Sequence, residues 1–189
     1  MRLGLLGGSF DPPHIGHLLA AIDAFEGLEL DRLVFVPAAV QPLKAGKASA
    51  SAAQRLEMVR QLVLGDPRFT VDPIETERGG VSFSVDTVAA YSQRNPSAEL
   101  FFLVGADVVG SFESWREPDR IAALATIVVV DRGDDPSKPA GRLPVRHLRT
   151  RRIDVSSTEI RERVKAGQSI HGFTTPAVAD YIAATGLYR

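Results

Sequence analysis

At 189 residues, with 44% hydrophobic and 24% charged side chains, the chain has the make-up of a globular protein large enough for a proper core. A formal net charge of -1 excludes the summed positive field that bulk nucleic-acid or membrane-surface binding needs, so neither partner is expected. The absence of cysteine removes disulfides, thiolate nucleophiles and cysteine-based metal sites, and it suits a reducing cytoplasm.

The opening MRLGLLGGSF has too short an apolar stretch for a signal peptide, and no run approaches the roughly 20 apolar residues that span a bilayer. Leu3 to Leu6 reads as a buried strand, followed by a glycine-rich loop and a helix on which Leu18, Ile22 and Phe25 recur. A second strand is expected at Leu33 to Val36, and the Ala, Gly and Ser of Ala38 to Ser51 predict a flexible surface loop. Ser51 and Gln54 have capping-box spacing and open a helix carrying Leu56, Val59 and Val63. Further strands follow at Phe69 to Val71, Leu100 to Val104 and Ile127 to Val130, with a second loop at Arg132 to Pro144.

The basic run Arg146, His147, Arg149, Arg151 and Arg152 reads as a solvated strand edge. Ser156 with Glu159 marks another helix start, and Thr175-Pro176 opens a closing helix that ends at Gly186. The expected fold is therefore α/β. It is a Rossmann-like, doubly wound parallel sheet in a single domain of residues 1–189, with a helical end from about residue 156 to 189.

The loop Gly7-Gly8-Ser9-Phe10-Asp11-Pro12-Pro13-His14-Ile15-Gly16-His17 is the most informative stretch. Paired glycines admit close backbone approach, the helix start offers free N–H groups to an anion, and His14 and His17 stand three apart at that entry. A polyphosphate fits. His-x-x-His supplies only two zinc ligands, and the glycines match neither G-x-G-x-x-G nor a P-loop.

Gly7 to His17 resembles the HxGH loop of the nucleotidylyltransferase superfamily, and Val155-Ser156-Ser157-Thr158-Glu159-Ile160-Arg161 resembles its ISSTxIR signature. Glu75-x-x-Arg78-x-Gly80-x-Ser82-Phe83-Ser84-x-Asp86-Thr87 resembles the ExxRxGxSYTxDT stretch of bacterial nicotinate-nucleotide adenylyltransferases, with Phe83 for tyrosine and Ser84 for threonine. Gly105-Ala106-Asp107 with Trp115-Arg116 is similar to that family's strand-end GxD and downstream tryptophan. Pro37 to Lys44 is similar to its Pro-rich stretch, with Leu43 where histidine is usual.

The resemblance implies transfer of the adenylyl group of ATP to nicotinate mononucleotide, with magnesium carried mainly by the ATP phosphates and no metal site in the protein. It assigns catalysis to His14, His17, Lys44 and Arg161. ATP binding falls to those histidines and Arg161 with Gly7, Gly8, Ser9, Phe10, Gly105, Asp107, Ser156, Ser157 and Thr158. The pyridine nucleotide falls to Lys44, Ser82, Phe83, Ser84, Trp115 and Arg116. A pantetheine-phosphate adenylyltransferase, a preference for nicotinamide mononucleotide, a non-catalytic nucleotide-binding module and a homo-oligomer all stay open at this point.

Overall fold

The computed structural model describes residues 1–40, 50–132 and 143–189, apart from the side chains of Asp107, Val108 and Arg132. Six strands form one sheet: β1 (Arg2–Gly8), β2 (Arg32–Pro37), β3 (Phe69–Val71), β4 (Glu99–Gly105), β5 (Thr126–Arg132) and β6 (Val145–Thr150). Their order is β3-β2-β1-β4-β5-β6 and every pairing is parallel. The five expected strands are therefore present. The basic run forms the sixth strand at the sheet edge, with Arg146, His147 and Arg149 exposed as foreseen.

Helices α1 (Ile15–Gly27), α2 (Ala52–Leu62), α3 (Ile74–Arg78), α4 (Ser84–Arg94), α5 (Ala106–Val109), α6 (Pro118–Leu124), α7 (Ser157–Lys165) and α8 (Pro176–Thr185) cover both faces. Side chains alternate across each strand, so one apolar run supplies two cores. Leu33, Phe35, Phe101, Leu103, Val128 and Val130 pack with Ala24 of α1, Met58 of α2, Ile160 of α7 and Ile182 of α8. Leu5, Val34, Phe102, Val104, Ile127 and Val129 pack on the other side with Val85 and Val88 of α4 and Ile121 of α6. Each fully buried side chain of this size contributes about 1.5–3 kcal/mol relative to exposure.

Helix starts follow the expected capping chemistry in part. The Ser51 hydroxyl accepts from the Gln54 N–H at 3.2 Å while Gln54 accepts from the Ser51 N–H at 2.9 Å. Ser156 accepts from the Glu159 N–H at 3.1 Å. Thr175 does precede Pro176 at the start of α8, but its buried hydroxyl has no hydrogen-bond partner among the described residues, so proline's fixed φ sets that start without a side-chain cap. Of the two expected loops, 41–49 and 133–142 lie outside the described residues.

The winding reverses between β1 and β4, which are neighbours in the sheet but far apart in the chain. At such a switch point the loops leaving adjacent strands part in opposite directions and open a crevice.

Candidate active site

That crevice is a cavity of ≈ 1100 Å³ at the carboxyl ends of β1 and β4, with Gly7 and Gly8 on one floor strand and Gly105 on the other. The N-terminal residues of α1, α4 and α7 line it, so three helices present free amides and the positive ends of their dipoles to one space.

Gly8 lines the cavity beside Gly7, and a Cβ there would lie 2.9 Å from the Phe10 ring, so this glycine also makes room for Phe10. Phe10 is buried, holds a left-handed φ of 51° and meets His17 edge-on at 5.1 Å. A Cβ on Gly7 would meet only the Val36 carbonyl, at 4.0 Å, and here the backbone is open to the cavity.

His14 is the N-cap residue of α1 and is buried, its ring against that of His17 with centroids 3.7 Å apart and planes tilted by 36°. The His14 backbone N–H donates to Nδ1 of His17 at 3.2 Å. Because Nδ1 accepts, the neutral His17 ring carries its proton on Nε2, a donor suited to an anion in the cavity. Gly16 is the residue between them that must stay small, since a Cβ would stand 3.0 Å from the His14 ring.

The second signature closes onto the first. Arg161 of α7 donates to the Asp11 carbonyl at 2.7 Å and to the Thr158 hydroxyl at 3.1 Å, and the Ser157 hydroxyl donates to the Pro12 carbonyl at 2.7 Å. Ser157 lines the cavity too, and its hydroxyl proton ties α7 to the histidine loop. Ser9, Ser156, Thr158 and Arg161 all line the cavity.

On the far wall, Ser82, Phe83 and Ser84 bring in the start of α4, and Trp115 and Arg116 face them. Trp115 packs on Phe112 at 4.8 Å and Phe102 at 6.3 Å, which fixes its plane. The Arg116 guanidinium lies 4.9 Å above the Phe83 ring and 3.9 Å from the Asp86 carboxylate, linking the two sides of this wall. Asp107 sits in the first turn of α5, while its side chain, like the whole of Lys44, lies outside the described residues.

Several supporting residues brace these motifs; of them Arg55, with Met58, resembles the family's pattern on α2. Arg55 projects from α2 and is 2% exposed, donating to the carbonyls of Ser9 at 2.7 Å, Ala39 at 2.7 Å and Ala50 at 3.3 Å. Burial pulls its guanidinium below the ordinary arginine value, partly offset by Asp11 and Tyr188. Asp11 accepts from the Ala50 N–H at 3.1 Å and from the Tyr188 hydroxyl at 2.7 Å, so the last turn of the chain braces the histidine loop. Burial, reinforced by Asp11, pushes the Tyr188 phenol well above its usual range. The signal for Arg55 was its position on the apolar stripe of α2, with Met58, Val59 and Leu62.

The Glu75 to Thr87 motif forms a buried network. Glu75 accepts from Thr87 at 2.5 Å, and Ser82 accepts from the Ala39 N–H at 2.9 Å, joining the loop after β2 to the start of α4. Desolvation raises the Glu75 carboxyl above its ordinary value against hydrogen bonds from Thr87 and Ser82.

A sheet of this order, with paired helix starts and histidines above its switch point, defines the class that transfers nucleotidyl groups. The family model for cytidylyltransferase-like proteins matches residues 5–163. A probable nicotinate-nucleotide adenylyltransferase from Gemmatimonas aurantiaca is 51% identical, covering 100% of this chain and 93% of its own. One from Thermus thermophilus is 47% identical over the whole of both chains. The chain belongs to the nicotinate-nucleotide adenylyltransferase family and is an enzyme. Its fold is that of a Plasmodium falciparum nicotinic acid mononucleotide adenylyltransferase complexed with NaAD, at TM-score 0.81 and 18% identity over 99% of this chain and 97% of that one.

Proposed function

We propose that this enzyme joins ATP and nicotinate mononucleotide into nicotinate adenine dinucleotide, releasing pyrophosphate. The observation that carries the reading is the convergence of two phosphate-suited helix starts, His14-x-Gly16-His17 and Ser156 to Arg161, on one cavity opposite an indole wall. A phosphate oxygen of the mononucleotide attacks the α-phosphorus of ATP, and the bond to the β-phosphate oxygen breaks. No enzyme nucleophile takes part, so the protein contributes positioning and charge stabilisation.

The Nε2–H of His17 donates to the leaving pyrophosphate, with the starts of α1 and α7 and with Arg161 adding positive potential. Lys44 is assigned to the same phosphates. Gly7, Ser9 and Gly105 border the ATP path, and Asp107 is assigned to its ribose. Trp115 covers the pyridine ring, and the amides near Ser84 and Arg116 receive the carboxylate, which favours the acid over the amide. Among the described residues no group of three His, Asp or Glu could hold a metal ion, and magnesium enters as part of MgATP. No helix among the described residues is long and apolar enough to cross a membrane, and we assign the reaction to the cytoplasm.

Pyrophosphate release in the presence of MgATP tests the reading, with nicotinate mononucleotide, nicotinamide mononucleotide and phosphopantetheine as parallel acceptors. Selective release with the first, lowered about 10²–10³-fold in kcat by His17→Ala with a smaller change in KM, is expected. Release with phosphopantetheine alone would overturn the acceptor; no release with any would turn the site into a binding module.

A further inference from the structure

Asp131 ends the apolar run of β5 in a way that the sheet does not require. The preceding residue, Val130, pairs with Gly105 across the β4–β5 ladder, so Asp131 stands just past the strand end assigned to the adenosine half of ATP. It lines the cavity and is 7% exposed. Its Oδ2 is 2.8 Å from Nδ1 of His147 on β6, and its backbone carbonyl accepts from the Thr150 hydroxyl at 3.1 Å. Its Oδ1 is buried and has no hydrogen-bond partner among the described residues.

A buried carboxylate oxygen without a donor is costly, and a protein retains one where a ligand completes it. The torsion that turns a carboxylate about its last bond is broad and soft, so the group can swing its free oxygen toward a donor seated in the cavity. The triphosphate offers only acceptors and would be repelled. The nucleoside end offers donors, and among them the purine 6-amino group is the one whose presence distinguishes adenine from other purines.

We propose that Asp131, oriented by His147, is a specificity-determining residue that accepts a hydrogen bond from the 6-amino group of the ATP base. This rests on the assignment of the adenosine half to the β4 end. His147 holds one oxygen, and the base takes the other. The site thereby reads the adenine edge with a charged acceptor, and an analogue without the amino group leaves that acceptor unmet.

The test compares ATP, purine riboside triphosphate (which lacks only the 6-amino group) and 2′-deoxy-ATP, with nicotinate mononucleotide saturating. The parent is expected to favour ATP over the purine analogue by about 10- to 100-fold in kcat/KM, the range of a charge-assisted hydrogen bond. Asp131→Ala should abolish that preference by slowing ATP and 2′-deoxy-ATP equally while leaving the analogue and the KM for nicotinate mononucleotide unchanged. Asp131→Asn, which keeps an acceptor oxygen, should fall between.

Equal losses for ATP and the purine analogue in Asp131→Ala, or no loss for either, would overturn the proposal. So would a loss confined to substrates bearing the 2′-hydroxyl. Should the parent release no pyrophosphate, the functional reading fails on its own. Calorimetric binding of ATP against the purine analogue to parent and Asp131→Ala then decides the role of Asp131.

Discussion

Replacing Arg55 by methionine keeps most of the side chain's length and removes its guanidinium. Three carbonyls, those of Ser9, Ala39 and Ala50, then lose their donor, and Asp11 loses a nearby positive charge. A buried carbonyl left unmet costs about 1–3 kcal/mol, and uncoupling a buried charge costs about 3–5 kcal/mol. Ser9 and Ala39 border the cavity, where water can recover part of the loss, so the total expected is about 3–5 kcal/mol rather than the sum. At a urea slope of about 2.5 kcal/mol/M this lowers the unfolding midpoint by about 1–2 M. Turnover should fall with it, because Arg55 anchors the loops after β1 and β2 together. Arg55→Lys restores charge without the planar fork and should recover only part of both. An Arg55→Met variant within about 1 kcal/mol of the parent and equally active would refute the view of Arg55 as the clamp of this site.

Gly16→Ala places a methyl 3.0 Å from the His14 ring and should cut kcat by about 10-fold or more with the fold intact, as checked by turnover beside a thermal melt. Glu75→Gln tests the buried carboxyl. Because the folded-state value lies above the ordinary 4.5, ionisation opposes folding, so the parent loses stability as pH rises from the ordinary value through the folded one, and the loss is constant above it. Denaturant unfolding from pH 4 to 8 should show the glutamine variant gaining on the parent as pH rises, and a pH-independent difference would count against the raised value. Trp115→Ala should raise the KM for nicotinate mononucleotide by about 10-fold while leaving that for ATP within about 2-fold, since stacking of this kind contributes about 0.5–1.5 kcal/mol beyond area burial.

Much of this protein is legible in one dimension because its signals are local. An apolar run of four or five residues between turn signals has few ways to be buried except as an inner parallel strand, and β1, β2, β4 and β5 all follow that rule. Ser51 and Ser156 mark helix starts because a hydroxyl three residues from a free N–H closes a bond within the chain itself. His14 and His17 stand together for the same reason, one helical turn apart at a helix entry.

The tertiary structure alone decided what those elements do for one another. Nothing in the glycine pattern distinguished Gly7, open to the cavity, from Gly8, which yields to the Phe10 ring, because that ring's position depends on the left-handed turn and on Phe35 beneath it. Nor does local sequence tell that the Ser157 hydroxyl reaches Pro12, that Tyr188 reaches Asp11 across almost the whole chain, or that Asp131 keeps one oxygen unmet beside the cavity. Helix starts and apolar strands depend on neighbours within a few residues. Hydrogen bonds between residues more than a hundred positions apart exist only after the sheet order β3-β2-β1-β4-β5-β6 has brought their elements together, and that order is set by the packing of both faces at once.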